Sequence, residues 1–284
     1  MKTKITRLLL SAVLMMCCVS VFAEDDWTII EQPTCSTYGT MKNTSTNELR
    51  LVPKLPHQFV NGECTVCGHA APSMYRGTLA ESLVTITEEN YVQYGLTATN
   101  KGCVMGWTVI TTAEEFMRYI NNNGVGGSYI EFNAFLAEDI LLDDRINLPE
   151  INLGNERVFD GTGHTISNVY RNGDRCVGLF TGNSGIIRNL GLISPKIVVC
   201  ISNGGCFCGN NSGTIENCFV IDGEIEGTDT DFDLYGIANQ KQGAKILNCY
   251  AITNKGNVGK VYPVFVSPPS NCNQQLWRNY RQCS

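Results

Sequence analysis

Ile187-Arg188-Asn189-Leu190 returns as Ile215-Glu216-Asn217-Cys218 and again as Ile246-Leu247-Asn248-Cys249. A further copy, Ile166-Ser167-Asn168-Val169, stands ahead of all three. Each copy reads isoleucine, any residue, asparagine, then an apolar residue or cysteine, and the steps between isoleucines are 21, 28 and 31 residues. Two copies follow near-identical turns, Gly182-Asn183-Ser184-Gly185 and Asn210-Asn211-Ser212-Gly213, with Gly243 at the third equivalent place. Self-similarity at a period of roughly 20–50 residues marks a solenoid. Short β-forming runs broken by Gly and Asn, without paired helical stripes, select a parallel β-helix. Successive coils then lie about 4.8 Å apart, and matching residues stack. Ile166, Ile187, Ile215 and Ile246 are expected to form an interior aliphatic ladder. Asn168, Asn189, Asn217 and Asn248 are expected to form an amide ladder at a bend, because Asn tolerates left-handed backbone.

Upstream, Thr112-Ala113-Glu114-Glu115 is a capping box. It predicts a helix that carries Phe116, Tyr119 and Ile120 on one face and ends at Asn121-Asn122-Asn123-Gly124. Leu83–Thr87 and Thr108–Ile110 alternate like strands.

Phe159-Asp160-Gly161-Thr162-Gly163-His164-Thr165-Ile166-Ser167-Asn168 resembles the opening coil of GLUG-type β-helix proteins. Gly178-Leu179-Phe180, Ile187–Leu190 and Asn211-Ser212-Gly213-Thr214-Ile215-Glu216-Asn217-Cys218 are similar to the same family. The resemblance runs over roughly 108–255. Gly-Leu-any-Gly is altered in each copy, to Gly178-Leu-Phe-Thr181, Cys206-Phe-Cys-Gly209 and Gly236-Ile-Ala-Asn239. The family implies bacterial secreted or surface proteins, often adhesion-like, and no defined reaction. With the usual crossover rule it also implies a right-handed coil. The expected fold is therefore all-β: a right-handed parallel β-helix with a short α/β N-terminal capping segment. Its expected divisions are a signal peptide at 1–23, an irregular Cys/His module at 24–75, the capping segment at 76–135, the β-helix at 136–262 and a C-terminal tail or cap at 263–284.

The repeat also assigns cysteines. Cys218 and Cys249 align with Val169 and Leu190, so they are expected inside as buried free thiols. Cys206 and Cys208 flank Phe207 in an expected strand and face one side, within reach of Cys200. A Cys272–Cys283 bridge would pin the tail.

The densest chemical cluster is Cys35, His57, Cys64 and Cys67. Cys64-x-x-Cys67-Gly68 makes a tight knuckle, His57 lies across the Asn61-Gly62 turn, and His69 competes with Cys35 for the fourth place. Four N/S donors fit one structural zinc ion, and the stretch resembles zinc-ribbon-like modules of bacterial surface proteins. A Cys64–Cys67 or Cys35–Cys64 disulfide fits the same residues in an oxidising compartment.

The 284-residue chain has formal net charge −6. A basic start (Lys2, Lys4, Arg7), the apolar run Leu8–Val21 and Val21-Phe22-Ala23 form a secretory signal. Removing it leaves 18 basic and 27 acidic residues, a net −9, and twelve of the fourteen cysteines. An acidic chain excludes nucleic acid as the main partner, and the apolar run is too short for a comfortable membrane span. The carboxylates Asp160, Asp222, Glu224, Glu226, Asp229, Asp231 and Asp233, with His164, are the candidates for catalysis. No Ser-His-Asp set, P-loop or HExxH occurs. The expected function is a secreted or cell-surface, non-catalytic binding protein that presents a stacked face to a glycan or a host or cell-surface protein. The alternative is a carbohydrate-active enzyme on the same scaffold, a polysaccharide lyase or glycoside hydrolase.

Overall fold

The computed structural model describes residues 26–124, 129–200, 204–227, 233–255 and 260–262. The signal sequence at 1–23, Asp229, Asp231 and the Cys272–Cys283 tail lie outside the described residues, as does the side chain of Asp233. The chain forms a β-solenoid of about five turns, built from stacked parallel sheets. The described residues contain a single α-helix, Ala113–Gly124.

One coil shows how the turn is made. Phe180–Asn183 runs along one sheet, Ser184-Gly185 turns, and Ile186–Arg188 joins a second sheet. Asn189 then bends the chain into Gly191–Ile193 of a third sheet. Ser194 bends it again into Lys196–Val199, and the coil closes through Gly204–Gly205. Cys208–Asn211 then pairs with Phe180–Asn183 one level on. Both bends need left-handed backbone: φ is 52° at Asn189, 53° at Asn217 and 51° at Asn248, and 62°, 49° and 54° at Asn168, Ser194 and Asp222.

These angles correct the expected alignment. Ile187, Ile215 and Ile246 do stack in register, with Phe159 beneath them. Ile166 belongs to the neighbouring sheet, between Ile140 and Leu192. Asn168 accordingly leaves the amide ladder; its Nδ2 donates to the Leu142 carbonyl at 3.2 Å. The 21-residue step from Ile166 is shorter than the 23 to 31 residues that one level consumes. Cys218 and Cys249 therefore stack over Leu190 and not over Val169, and both are buried free thiols. Burial first, and then the Cys249 thiol, push the Cys218 thiol up. The in-register partner of Gly213 is Ala244 and not Gly243, because Ile215 pairs with Ile246.

The interior is apolar along two columns. One is Ala134, Phe159, Ile187, Ile215 and Ile246; the other is Ile140, Ile166, Leu192, Val220 and Ala251. All ten are buried. Fully burying each large member is worth about 1.5–3 kcal/mol. A third column starts apolar at Ile130 and Leu153 and continues as Asn183 and Asn211. Asn183 Nδ2 donates to Asn211 Oδ1 at 2.7 Å, Asn183 Oδ1 accepts the Gly185 amide at 3.0 Å and Asn211 Nδ2 donates to the Lys245 carbonyl at 3.4 Å, so both buried amides are satisfied.

The helix is capped as the sequence predicts: Glu115 N donates to Thr112 Oγ1, and Thr112 N to Glu115 Oε2, both at 3.2 Å. It runs through Asn121–Asn123 and its last residue is Gly124, within the stretch expected to end it. Phe116 and Tyr119 lie against Phe159, with ring centroids 6.4 and 5.8 Å apart. Cys206, Phe207 and Cys208 are all fully buried because the chain bends there, so the expected one-sided strand is absent. Cys200 Sγ lies 3.5 Å from Asn172 Oδ1. Residues expected to be irregular carry an antiparallel sheet of Trp27–Glu31, Gly39–Asn43 and Leu49–Val52.

Asn217→Ala should destabilise the chain by about 2 kcal/mol, combining left-handed strain with lost amide bonds. Asn217→Gly should recover the strain part alone. Denaturant unfolding of both variants measures this, and equal losses would contradict it.

Candidate metal centre

Phe59–Val60 and Glu63–Cys64 form a hairpin. Asn61 and Gly62, at φ 54° and 84°, are the two left-handed residues that a tight hairpin of this kind requires. The chain then folds back over Cys64. The Gly68 amide donates to the Cys64 carbonyl at 2.8 Å, and the Cys64 amide to the His69 carbonyl at 2.7 Å. Cys35 arrives from a separate turn. There Thr34 Oγ1 accepts the amides of Ser36 and Thr37 at 3.1 and 2.9 Å, and the Thr34 carbonyl accepts the Leu55 amide at 2.8 Å.

The result is that donor atoms of Cys35, His57, Cys64 and Cys67 all lie within 4.8 Å of one another, close enough to hold a metal ion. His57 Nδ1 is 3.3 Å from Cys67 Sγ. Burial opposes ionisation of Cys64, but the amides of Cys67 and Val66 and the His57 ring outweigh it and bring its thiol down to about 5. Cys35 moves the other way, to about 11, through burial and then its thiol neighbours Cys67 and Cys64. Cys35 thus resists ionising beside its sulfur neighbours unless a cation offsets the charge. The donor set and its charge requirement fit a metal ion.

The far side of His57 carries a feature the sequence does not announce. Glu138 lies on the bend after Ala134–Leu136, in the solenoid. Its Oε2 is 3.7 Å from His57 Nε2 and 3.2 Å from His69 Nε2. The two imidazoles stack, with centroids 4.9 Å apart at 19°. Lys54 Nζ donates to the Ala137 carbonyl at 3.1 Å and to Glu138 at 3.4 Å. At 3.7 Å the carboxylate makes no hydrogen bond to His57 Nε2, which is buried without one, and acts on that ring through its charge. His69, expected as a rival ligand, turns to Glu138.

The carboxylates considered for catalysis are placed otherwise. Asp160 is buried, with Arg188 Nε on Oδ2 at 2.7 Å and Asn189 Nδ2 on Oδ1 at 3.0 Å. His164 faces Asp139 at 3.4 Å. Glu224 and Glu226 do share a strand face, and Lys196 lies between them at 3.2 and 3.8 Å. Asp222 sits at a left-handed bend.

No family model, curated protein or solved structure matches this chain.

Glu138→Gln should weaken binding of a divalent metal, titrated into metal-free protein, by about 10- to 100-fold. An unchanged affinity would remove Glu138 from the centre's support.

Proposed function

We propose that the chain is an exported, non-catalytic binding protein of the secreted or cell-surface, adhesion type. In this reading its coils are of the GLUG type and its N-terminal module is held by one structural zinc ion. The observation that carries the reading is the use to which the solenoid's charges are put. Asp160 anchors an amide ladder and an arginine, and Glu224 and Glu226 share one lysine. Carboxylates bound in this way serve the scaffold and do not stand ready as an acid–base pair. Zinc is favoured by a set of three thiols and one imidazole, with His57 turned into the sulfurs.

Elemental analysis of protein recovered from an oxidising compartment should find one zinc per chain, lost in Cys64→Ser. Absence of zinc together with an oxidised Cys64 would overturn that part. Incubation with polygalacturonate or mucin should release no product while the chain is retained on immobilised mucin or on cells. Product formation that Glu224→Gln abolishes would replace the binding reading with an enzymatic one.

A further inference from the structure

The outward row of the sheet that contains Phe180–Asn183 is made of amides, a glycine and one ring. In register it reads Tyr129, Asn152, Gly182 and Asn210, one residue per level. Asn239 follows, donating from Nδ2 to Asn210 Oδ1 at 3.4 Å. A groove of about 310 Å³ runs over this row, walled also by Arg175, Thr181 and Lys241. Gly182 opens its floor, since a Cβ there would meet Asn152 Oδ1 at 2.7 Å. Among the described residues the side chains of Asn152, Arg175, Ser212 and Lys241 make no hydrogen bond or ion pair, whereas Lys196 and Arg188 elsewhere are spent on carboxylates. Tyr129, 54% exposed, ends the row with a ring open to solvent.

We propose that this groove binds a hydroxyl-rich oligosaccharide lying along the solenoid axis. Amides and hydroxyls offer both donors and acceptors, which is what sugar hydroxyls need. A ring at one end gives an apolar sugar face its platform. A peptide fits less well. The groove runs across the strands and not along an edge, and apart from Tyr129, Cys176 and Gly182 the residues that line it are polar. Arg175 and Lys241 outnumber Glu150, the one carboxylate in the lining, and so also admit carboxylate-bearing sugars. The inference rests on the binding reading above and adds its location and ligand class.

Calorimetry on the full chain tests it with neutral probes (cello-, xylo- and maltohexaose) and acidic ones (hexagalacturonate, a hyaluronan hexasaccharide). At least one should bind. Tyr129→Ala and Asn152→Ala should each weaken it by about tenfold, the loss of one good contact. Gly182→Leu should abolish it, and Lys196→Ala should leave it unchanged. The two alanine variants keep the test alive if Gly182→Leu does not fold. Binding that none of the groove variants alters would overturn this site while leaving the binding reading intact. A chain that ignores every sugar yet captures peptides would overturn the ligand class. A chain that also fails to bind mucin and cells would overturn both.

Discussion

Everything in this molecule depends on register between successive coils. A parallel coil satisfies its backbone only through the coils before and after it, so a residue's partner is its counterpart one level away. Like must then tolerate like. Isoleucine does so by packing, and asparagine by donating one way and accepting the other. The amide ladder shows a direction: Asn248 donates to Asn217, Asn217 to Asn189, and Asn189 to Asp160. The last member needs only to accept, and there a carboxylate replaces the amide. Its burial is offset by Arg188 Nε and by the Thr162 amide, at 2.7 and 2.8 Å. Burial works against the Arg188 charge, yet the Asp160 carboxylate holds its pKa above the ordinary value.

The same constraint explains why the Cys/His module is fastened where it is. A solenoid's flank is a regular surface with few handles, and its bends are where side chains and carbonyls escape the ladder. The module grips one bend. Tyr38 donates to the Leu136 carbonyl at 3.1 Å, to which the solenoid's own Thr162 also donates, and Lys54 reaches the next two residues. Lys54 also lies 5.0 Å above the Tyr38 ring. Glu138 completes the grip through two imidazoles. Glu138 meets His57 from the side of the solenoid, and the three sulfurs meet it from the other, so a metal ion held there would act on a residue the solenoid already contacts.

How much of this the sequence discloses depends on the range of the interaction. The Asn-Gly turn, the knuckle at Cys64 to Gly68 and the capping box are local, and their residues declare them. The ladder of Ile187, Ile215 and Ile246 is readable because each level repeats one bend. Ile166-Ser-Asn168 misleads for a physical reason. A coil has two left-handed bends, each wanting an inward apolar residue just before it, so one tetrapeptide serves both. Only the spacing separates them. Glu138 is not readable at all: it lies 84 residues from Lys54, and nothing near it marks a histidine partner.

Asn210-Asn211 carries the point furthest. Two identical residues sit side by side, and strand alternation sends one outward and one inward. Asn211 is fully buried and accepts from Asn183, so its amide is structural and its loss would strand a partner in the core. Asn210 is half-exposed, donates to Cys176 Sγ at 2.6 Å and borders the groove. Composition cannot distinguish them, and neither can the repeat, since Gly182-Asn183 occupies the same positions one level earlier with only the inward asparagine kept. That contrast is informative in itself. The inward amide is needed at both levels to close a pair, whereas the outward position is free to become glycine, so the demands of the core and of the surface are met by alternate residues of one strand.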